Sequence, residues 1–148
     1  MTSGLEALYR DLILDHNKRP RNVRTLEGAC KAEGSNPLCG DRLTVSLRIA
    51  NGTIQDAAFQ GFGCAIAMAS ASLMTESVKG KTVAEAGALF ERFLQMITAP
   101  ADAPVDDLGE LSAFAGVRQF PVRVKCATLP WQTLRAAAAA RVEVVSTE

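Results

Sequence analysis

Leu43, Val45, Leu47 and Ile49 alternate with Thr44, Ser46 and Arg48, and the run ends on Asn51-Gly52. Period-two alternation turns one set of side chains inward and the other outward, the pattern of a half-buried strand. Asn and Gly both tolerate positive φ, so the pair signals a two-residue hairpin turn. No other feature constrains the chain as tightly, because it demands an antiparallel hairpin with one face covered. The second strand is expected over 53–59. Ile54 and Phe59 fall on opposite faces of it, which predicts a bulge or an end to the register. Residues 28–34 read as a third strand.

The rest of the chain carries helical spacing. Leu5, Leu8, Leu12 and Ile13 mark an amphipathic helix over 5–16, and Pro20 ends it. Residues 65–78 are small and apolar nearly all round, so they read as a buried helix. Val83, Leu89, Phe90, Phe93, Leu94 and Ile97 mark another over 83–97. A loop rich in Pro and Asp follows at 98–107, then a short helix over 108–115 and a last helix from Ala127 to Val142. Strands cluster early and helices late. The fold class is therefore α+β: a small three-stranded antiparallel sheet with helices packed on one face. No repeat or linker divides the 148 residues, and a single domain over 1–148 is expected.

Charge excludes some partners. Lys and Arg together number 16, as do Asp and Glu, and this balance argues against a nucleic-acid binder with a basic face. The longest uncharged run, Ala57 to Thr75, holds Gly61 and Gly63 near its start, so it is not read as a membrane span. The N-terminal residues lack the apolar segment of a signal peptide, and a cytoplasmic location with reduced thiols is expected.

The four cysteines, Cys30, Cys39, Cys64 and Cys126, form no CxxC pair. Cys39 lies in the turn-rich stretch SNPLCGD, before the first long strand. Cys64 falls where a strand gives way to a helix, and Cys126 is read at the start of the last helix. Two of these three thiols thus meet helix N-termini, where aligned amide dipoles favour thiolate, the form that binds metal and attacks sulfur. Asp41 places a carboxylate two residues beyond Cys39. Three thiolates and one carboxylate suffice for a tetrahedral zinc shell. Core filling, nucleophile and metal ligand all remain open for Cys64 on this reading, since free cysteine is often simply buried.

Four stretches, DHNKRPRN, NPLCGDRL, GFGCAIAMASASLM and FPVRVKCATLPW, resemble in this order the U-type iron–sulfur assembly proteins, the IscU/SufU/NifU N-terminal family, over residues 9–134. The resemblance implies an IscU/SufU-like α+β fold with Cys39, Cys64 and Cys126 converging on the aspartate of CGD, Asp41. It implies a sulfur acceptor that takes persulfide from a cysteine desulfurase and serves iron–sulfur cluster assembly. One branch carries an LPPVK motif and a histidine before the last cysteine. Here the stretch is FPVRVK, with Arg123 and Lys125 at those places, and the segment between Cys64 and Cys126 is long. Both features resemble the SufU branch, which implies a zinc-dependent sulfurtransferase, a relay of persulfide sulfur rather than a scaffold. The alternative keeps the same ligands for a [2Fe-2S] cluster or iron, assembled there and passed to apo-proteins. A SufS-type cysteine desulfurase and a downstream cluster-assembly complex or apo-protein are the implied partners.

Physical chemistry fits that reading. Three thiolates and a carboxylate outweigh the charge of Zn²⁺, and Arg123 and Lys125 are expected to offset part of the excess as outer partners. The Asp41 oxygen is the harder, more exchangeable ligand. Cys39, on a loop, is expected to leave the metal and attack the donor persulfide by thiol–persulfide exchange. Cys30 belongs to none of the four stretches and is read as a bystander. His16 is expected to cap the C-terminus of the first helix as a cation. Arg19, Arg21 and Arg24 are a solvated surface or a docking patch, and Trp131 is core or rim packing.

Overall fold

The computed structural model describes residues 4–105, 107–140 and 145–147. Helix α1, Gly4–Lys18, comes first, and the chain then crosses to strand β1, Cys30–Asn36. Strands β2, Asp41–Ala50, and β3, Thr53–Phe62, form the hairpin. Asn51 and Gly52 have φ of 53° and 74°, both positive as a two-residue turn of this hand requires. The bulge is present too. Arg48 pairs with Asp56 and Ile49 with Ile54, which leaves Gln55 as the extra residue. It reverses the alternation, and Ile54 and Phe59 are both fully buried.

The sheet has four strands rather than three and is mixed rather than purely antiparallel. Its order is β3-β2-β1-β4, and β4, Val145–Ser146, pairs parallel with β1. A two-residue strand is too short to show any period, so local pattern could not reveal it. The α+β class holds. Helices α2, Ala65–Val78, α3, Val83–Thr98, and α4, Pro121–Ala138, complete the layer, with α4 lying on β1 and β2 and α2 on β3. Leu43, Val45 and Leu47 face them and are buried, while Arg42 and Arg48 point the other way and are exposed.

Two helix boundaries differ from expectation. The segment expected as a short helix over 108–115 is a long 3-10 helix, Gly109–Gln119. Helix α4 begins at Pro121, six residues before Ala127. Proline is well placed in a first helical turn, where its missing N–H has no partner to lose. The expected end at Val142 lies outside the described residues. Trp131 belongs to the core, stacked on Phe90 at 5.9 Å and Phe93 at 5.1 Å between ring centroids. Small residues on α2 let neighbours come close, and Ser70 Oγ donates to the Ala127 carbonyl at 2.6 Å.

His16 does not cap α1 as a cation. It is only 4% exposed, and its Nδ1 lies 2.6 Å from Ser72 Oγ on α2. Burial, and then the nearby Arg21 charge, hold its pKa below the ordinary histidine value, so the ring serves as a neutral core partner. Arg19 and Arg21 pair with Asp15, and Arg24 pairs with Asp56, which makes the arginine cluster a network of ion pairs at the start of the α1–β1 connection.

Candidate metal centre

Three segments meet at one end of the sheet. The first is the 37–40 connection between β1 and β2, shaped by Cys39 N–H to Asn36 O at 3.1 Å and Gly40 N–H to Pro37 O at 3.3 Å. Gly40 has φ of 70°, which an L side chain would resist. The second is the end of β3. At Gly61, φ is 135° and a Cβ would come 2.1 Å from the Arg42 carbonyl oxygen. At Gly63 a Cβ would come 2.8 Å from Asp41 Oδ1. Gly63 therefore keeps open the space that Asp41 fills, while Gly61 lets β3 lie close against the β2 backbone. The third segment is the first two turns of α4.

Asp41, the first residue of β2, is 1% exposed. Its Oδ1 accepts the Cys64 N–H at 2.8 Å, which ties the carboxylate to the N-cap of α2. Its Oδ2 is buried with no hydrogen-bond partner. Cys39 Sγ and Cys126 Sγ are 3.2 Å apart. One ligand atom from each of Cys39, Asp41 and Cys126 lies within 4.8 Å of the others. Cys64 does not join them inside that limit, yet it caps α2 with an extended backbone and its side chain makes no cap bond. Its side chain is instead among the hydrogen-bonding neighbours of Cys126. Cys30 stands at the far end of β1, six residues from Asn36, or about 20 Å along a strand.

The thiols differ in exposure. Cys126 is fully buried in the second turn of α4, not at its N-terminus, because that helix starts earlier than expected. The helix-dipole argument for thiolate therefore does not apply to it. Burial, then hydrogen bonding to Cys39, pushes its pKa well above the ordinary thiol value. Only a bound cation would make it a thiolate at neutral pH, as coordination deprotonates a thiol outright. Cys39 and Cys64 are half-buried and line a pocket of about 670 Å³ with Leu38, Phe120, Val122 and Arg123. Leu38, Phe120 and Val122 are large apolar side chains left exposed at its rim.

Arg123 is brought to this site and Lys125 is not. Arg123 Nη1 lies 4.0 Å from Cys39 Sγ, and its pKa is raised, first by hydrogen bonding to Cys126. Lys125 is exposed and only one residue before Cys126, about 100° around the helix from it. Position 123 is three residues before Cys126 and shares its face. Sequence reasoning also passed over Asn36, which is buried with Nδ2 donating to Cys126 Sγ at 3.6 Å. Its one sequence signal was its place in the NPLCGD stretch.

The donor set suits a borderline metal such as zinc. The unpartnered Asp41 Oδ2 is the deciding atom, since a buried carboxylate oxygen without a donor is costly unless a cation completes it. Among the described residues, no helix is long and apolar enough to cross a membrane.

The chain is 41% identical over 132 residues to the zinc-dependent sulfurtransferase SufU of Bacillus subtilis, covering 89% of this chain and 90% of that one. It is 40% identical over 135 residues to the iron–sulfur cluster assembly scaffold protein IscU of Streptococcus pyogenes, covering 91% and 85%. A crystal structure from Fervidobacterium islandicum AW-1, described as a candidate iron–sulfur cluster assembly scaffold for the SUF system, superposes with a TM-score of 0.78 at 35% identity. It covers 88% of this chain and 96% of its own. The NifU-like N-terminal domain model matches residues 8–127. With fold and sequence in agreement, the chain belongs to the NifU-like N-terminal domain family, the IscU/SufU group of proteins.

Proposed function

We propose that the chain is a zinc-dependent sulfur acceptor of iron–sulfur cluster assembly. Cys39, Asp41, Cys64 and Cys126 would hold one Zn²⁺. The observation that carries this reading is the buried, unpartnered Asp41 Oδ2 beside the facing thiols of Cys39 and Cys126. The name of the Bacillus relative supports zinc and sulfur transfer. Bound zinc supplies charge that keeps thiols deprotonated at neutral pH, and it has no redox chemistry of its own.

The chain's own residues account for the transfer. Cys39 is the nucleophile, because it lines the open pocket from a loop, whereas Cys64 is held at the N-cap of α2 and Cys126 is enclosed. Its thiolate attacks the outer sulfur of a donor persulfide. The S–S bond of the donor breaks, the donor cysteine leaves as thiolate, and Cys39 carries the persulfide. The Arg123 guanidinium, near Cys39 Sγ, balances the charge of sulfur before and after transfer. The exposed apolar rim of Leu38, Phe120 and Val122 offers a surface for the donor protein. That donor is a SufS-type cysteine desulfurase, and the sulfur passes on to a cluster-assembly complex or apo-protein in the cytoplasm. No nucleic acid is involved.

The second reading is a scaffold for a [2Fe-2S] cluster on the same residues, favoured by the names of the IscU relatives. Metal analysis of protein purified without oxygen decides between them. About one zinc per chain is expected. Tightly bound iron and sulfide with no zinc would hand the site to the scaffold reading.

A further inference from the structure

We propose that Asn36 is a positioning residue of the metal centre, its side-chain amide fixing the Cys126 sulfur and donating an N–H···S hydrogen bond to it once it is a metal-bound thiolate. The inference rests on the metal reading above and adds a residue outside its ligand set.

Asn36 is the last residue of β1 and is fully buried. It touches three of the candidate ligands in three different ways. Its strand register places it opposite Asp41. Its carbonyl accepts the Cys39 N–H at 3.1 Å. Its Nδ2 donates to Cys126 Sγ at 3.6 Å, across 90 positions of sequence. One residue thus relates the loop that carries Cys39, through its backbone, to the helix that carries Cys126, through its side chain.

A bland alternative is that Asn36 serves the turn before Pro37. In such a turn the side-chain oxygen accepts a backbone N–H two residues on. Here Oδ1 is buried and accepts nothing, so no such turn is made by the side chain. The amide is not held there for its oxygen, so what it contributes is its donor. A buried sulfur that carries charge is the acceptor such a donor suits, because hydrogen bonds to ionised groups are the strong ones. Asparagine supplies this without adding charge to a closed space. An aspartate of the same shape would turn an oxygen on the sulfur. Groups in this relation to a metal orient its ligands, and their removal typically costs about 10- to 100-fold in metal affinity.

The test uses the full chain loaded with ¹¹³Cd and labelled with ¹⁵N. A scalar coupling between the metal and the Asn36 side-chain amide protons can arise only through a Cd–S···H–N path, and it is expected. Cadmium bound with the shift of a thiolate-rich site but no coupling to Asn36 overturns this inference while leaving the metal reading intact. A chain that takes up no cadmium at these cysteines overturns both. In parallel, Asn36→Asp keeps the shape and loses the donor, and Asn36→Ala loses both. Each is expected to bind zinc about 10- to 100-fold more weakly than the parent. Zinc affinity in a folded Asn36→Asp within twofold of the parent would mean that shape alone matters, and the proposal would fall. The cadmium coupling is read on the native sequence, so it decides even where a variant does not fold.

Discussion

Two buried polar clusters differ in whether they are complete. Around His16, Ser72 Oγ accepts the Arg21 N–H at 2.8 Å and shares a hydrogen bond with His16 Nδ1 at 2.6 Å, with His16 Nε2 turned toward Glu110 at 3.8 Å. Donors and acceptors match there without any added group, and the cluster fastens α1 and the chain after it to α2. Around Asp41 they do not match. Asp41 Oδ2 and Asn36 Oδ1 are buried without partners, and two thiols face each other at 3.2 Å. A protein tolerates a few such defects, and Arg118 Nη1, Trp131 Nε1 and Thr147 Oγ1 are others. The Asp41 cluster stands out because two of these atoms lie beside facing thiols, a set that a cation completes.

The largest effect should come from the nucleophile. Cys39→Ala is expected to lower persulfide uptake at least hundredfold, read by mass spectrometry of the chain after exposure to a desulfurase and cysteine, while its far-ultraviolet circular dichroism stays that of the parent. Cys30→Ala should match the parent in both, since Cys30 stands at the other end of β1. Uptake that stops in Cys30→Ala would remove the contrast.

Metal removal comes next. With zinc at about a thousand times its Kd, binding stabilises the fold by about 4 kcal/mol. For a chain of this size that corresponds to a melting temperature higher by about 10 °C. Chelation should remove this increment and leave a folded chain, because the core around Trp131, Phe90 and Phe93 does not depend on the site. A chain that unfolds at room temperature on chelation would mean that the open cluster is structural after all.

Replacing Asp41 separates its two oxygens. Asp41→Ala should speed zinc exchange about tenfold or more and lower sulfur uptake, because it loses both the candidate ligand and the bond to the Cys64 N–H. Competition against a chromogenic chelator measures it. Exchange and uptake equal to the parent's would reduce Asp41 to a turn residue. A smaller effect is expected beside the thiols: Arg123→Ala should slow uptake a few-fold and Lys125→Ala less than twofold, since Arg123 reaches Cys39 and Cys126 from an exposed position and Lys125 points elsewhere.

The completed cluster should answer to pH rather than to metal. His16 is the single histidine of the chain, and its pKa is lowered by burial. The unfolded chain therefore binds the proton more readily, so this contribution is fully present above the unfolded value of about 6.5 and is lost as pH falls through it toward the folded value. Melting temperatures of the zinc-free chain should decline over that window, and His16→Gln should flatten the decline. An unchanged slope in that variant would show that the His16–Ser72 contact is not the pH-dependent one.

Local chemistry explains which elements were legible beforehand. The Asn51-Gly52 turn, the strands beside it and the buried α2 depend on neighbours within a few residues, and periodicity exposes them. The start of α4 was missed because Pro121 and the valines after it read against a helix, whereas Pro121 occupies its first turn. Strand β4 was missed because two residues have no period. The chemistry of Cys39, Asp41, Cys64 and Cys126 was legible as residue type and as motif, but their geometry was not.

The sequence by itself determined the α+β class, the hairpin, and the thiols and carboxylate at hand, and it left a bulge or an end to the register open in the second strand. Tertiary structure alone decided that His16 is neutral and enclosed, that Arg123 and not Lys125 reaches the thiols, and that Asn36 stands behind Cys126. The physical reason is distance along the chain. Ser72 is 56 positions from His16, and Arg123 is 84 positions from Cys39. Contacts of that span are set by how helices pack on a sheet, and neither local propensity nor period carries that information.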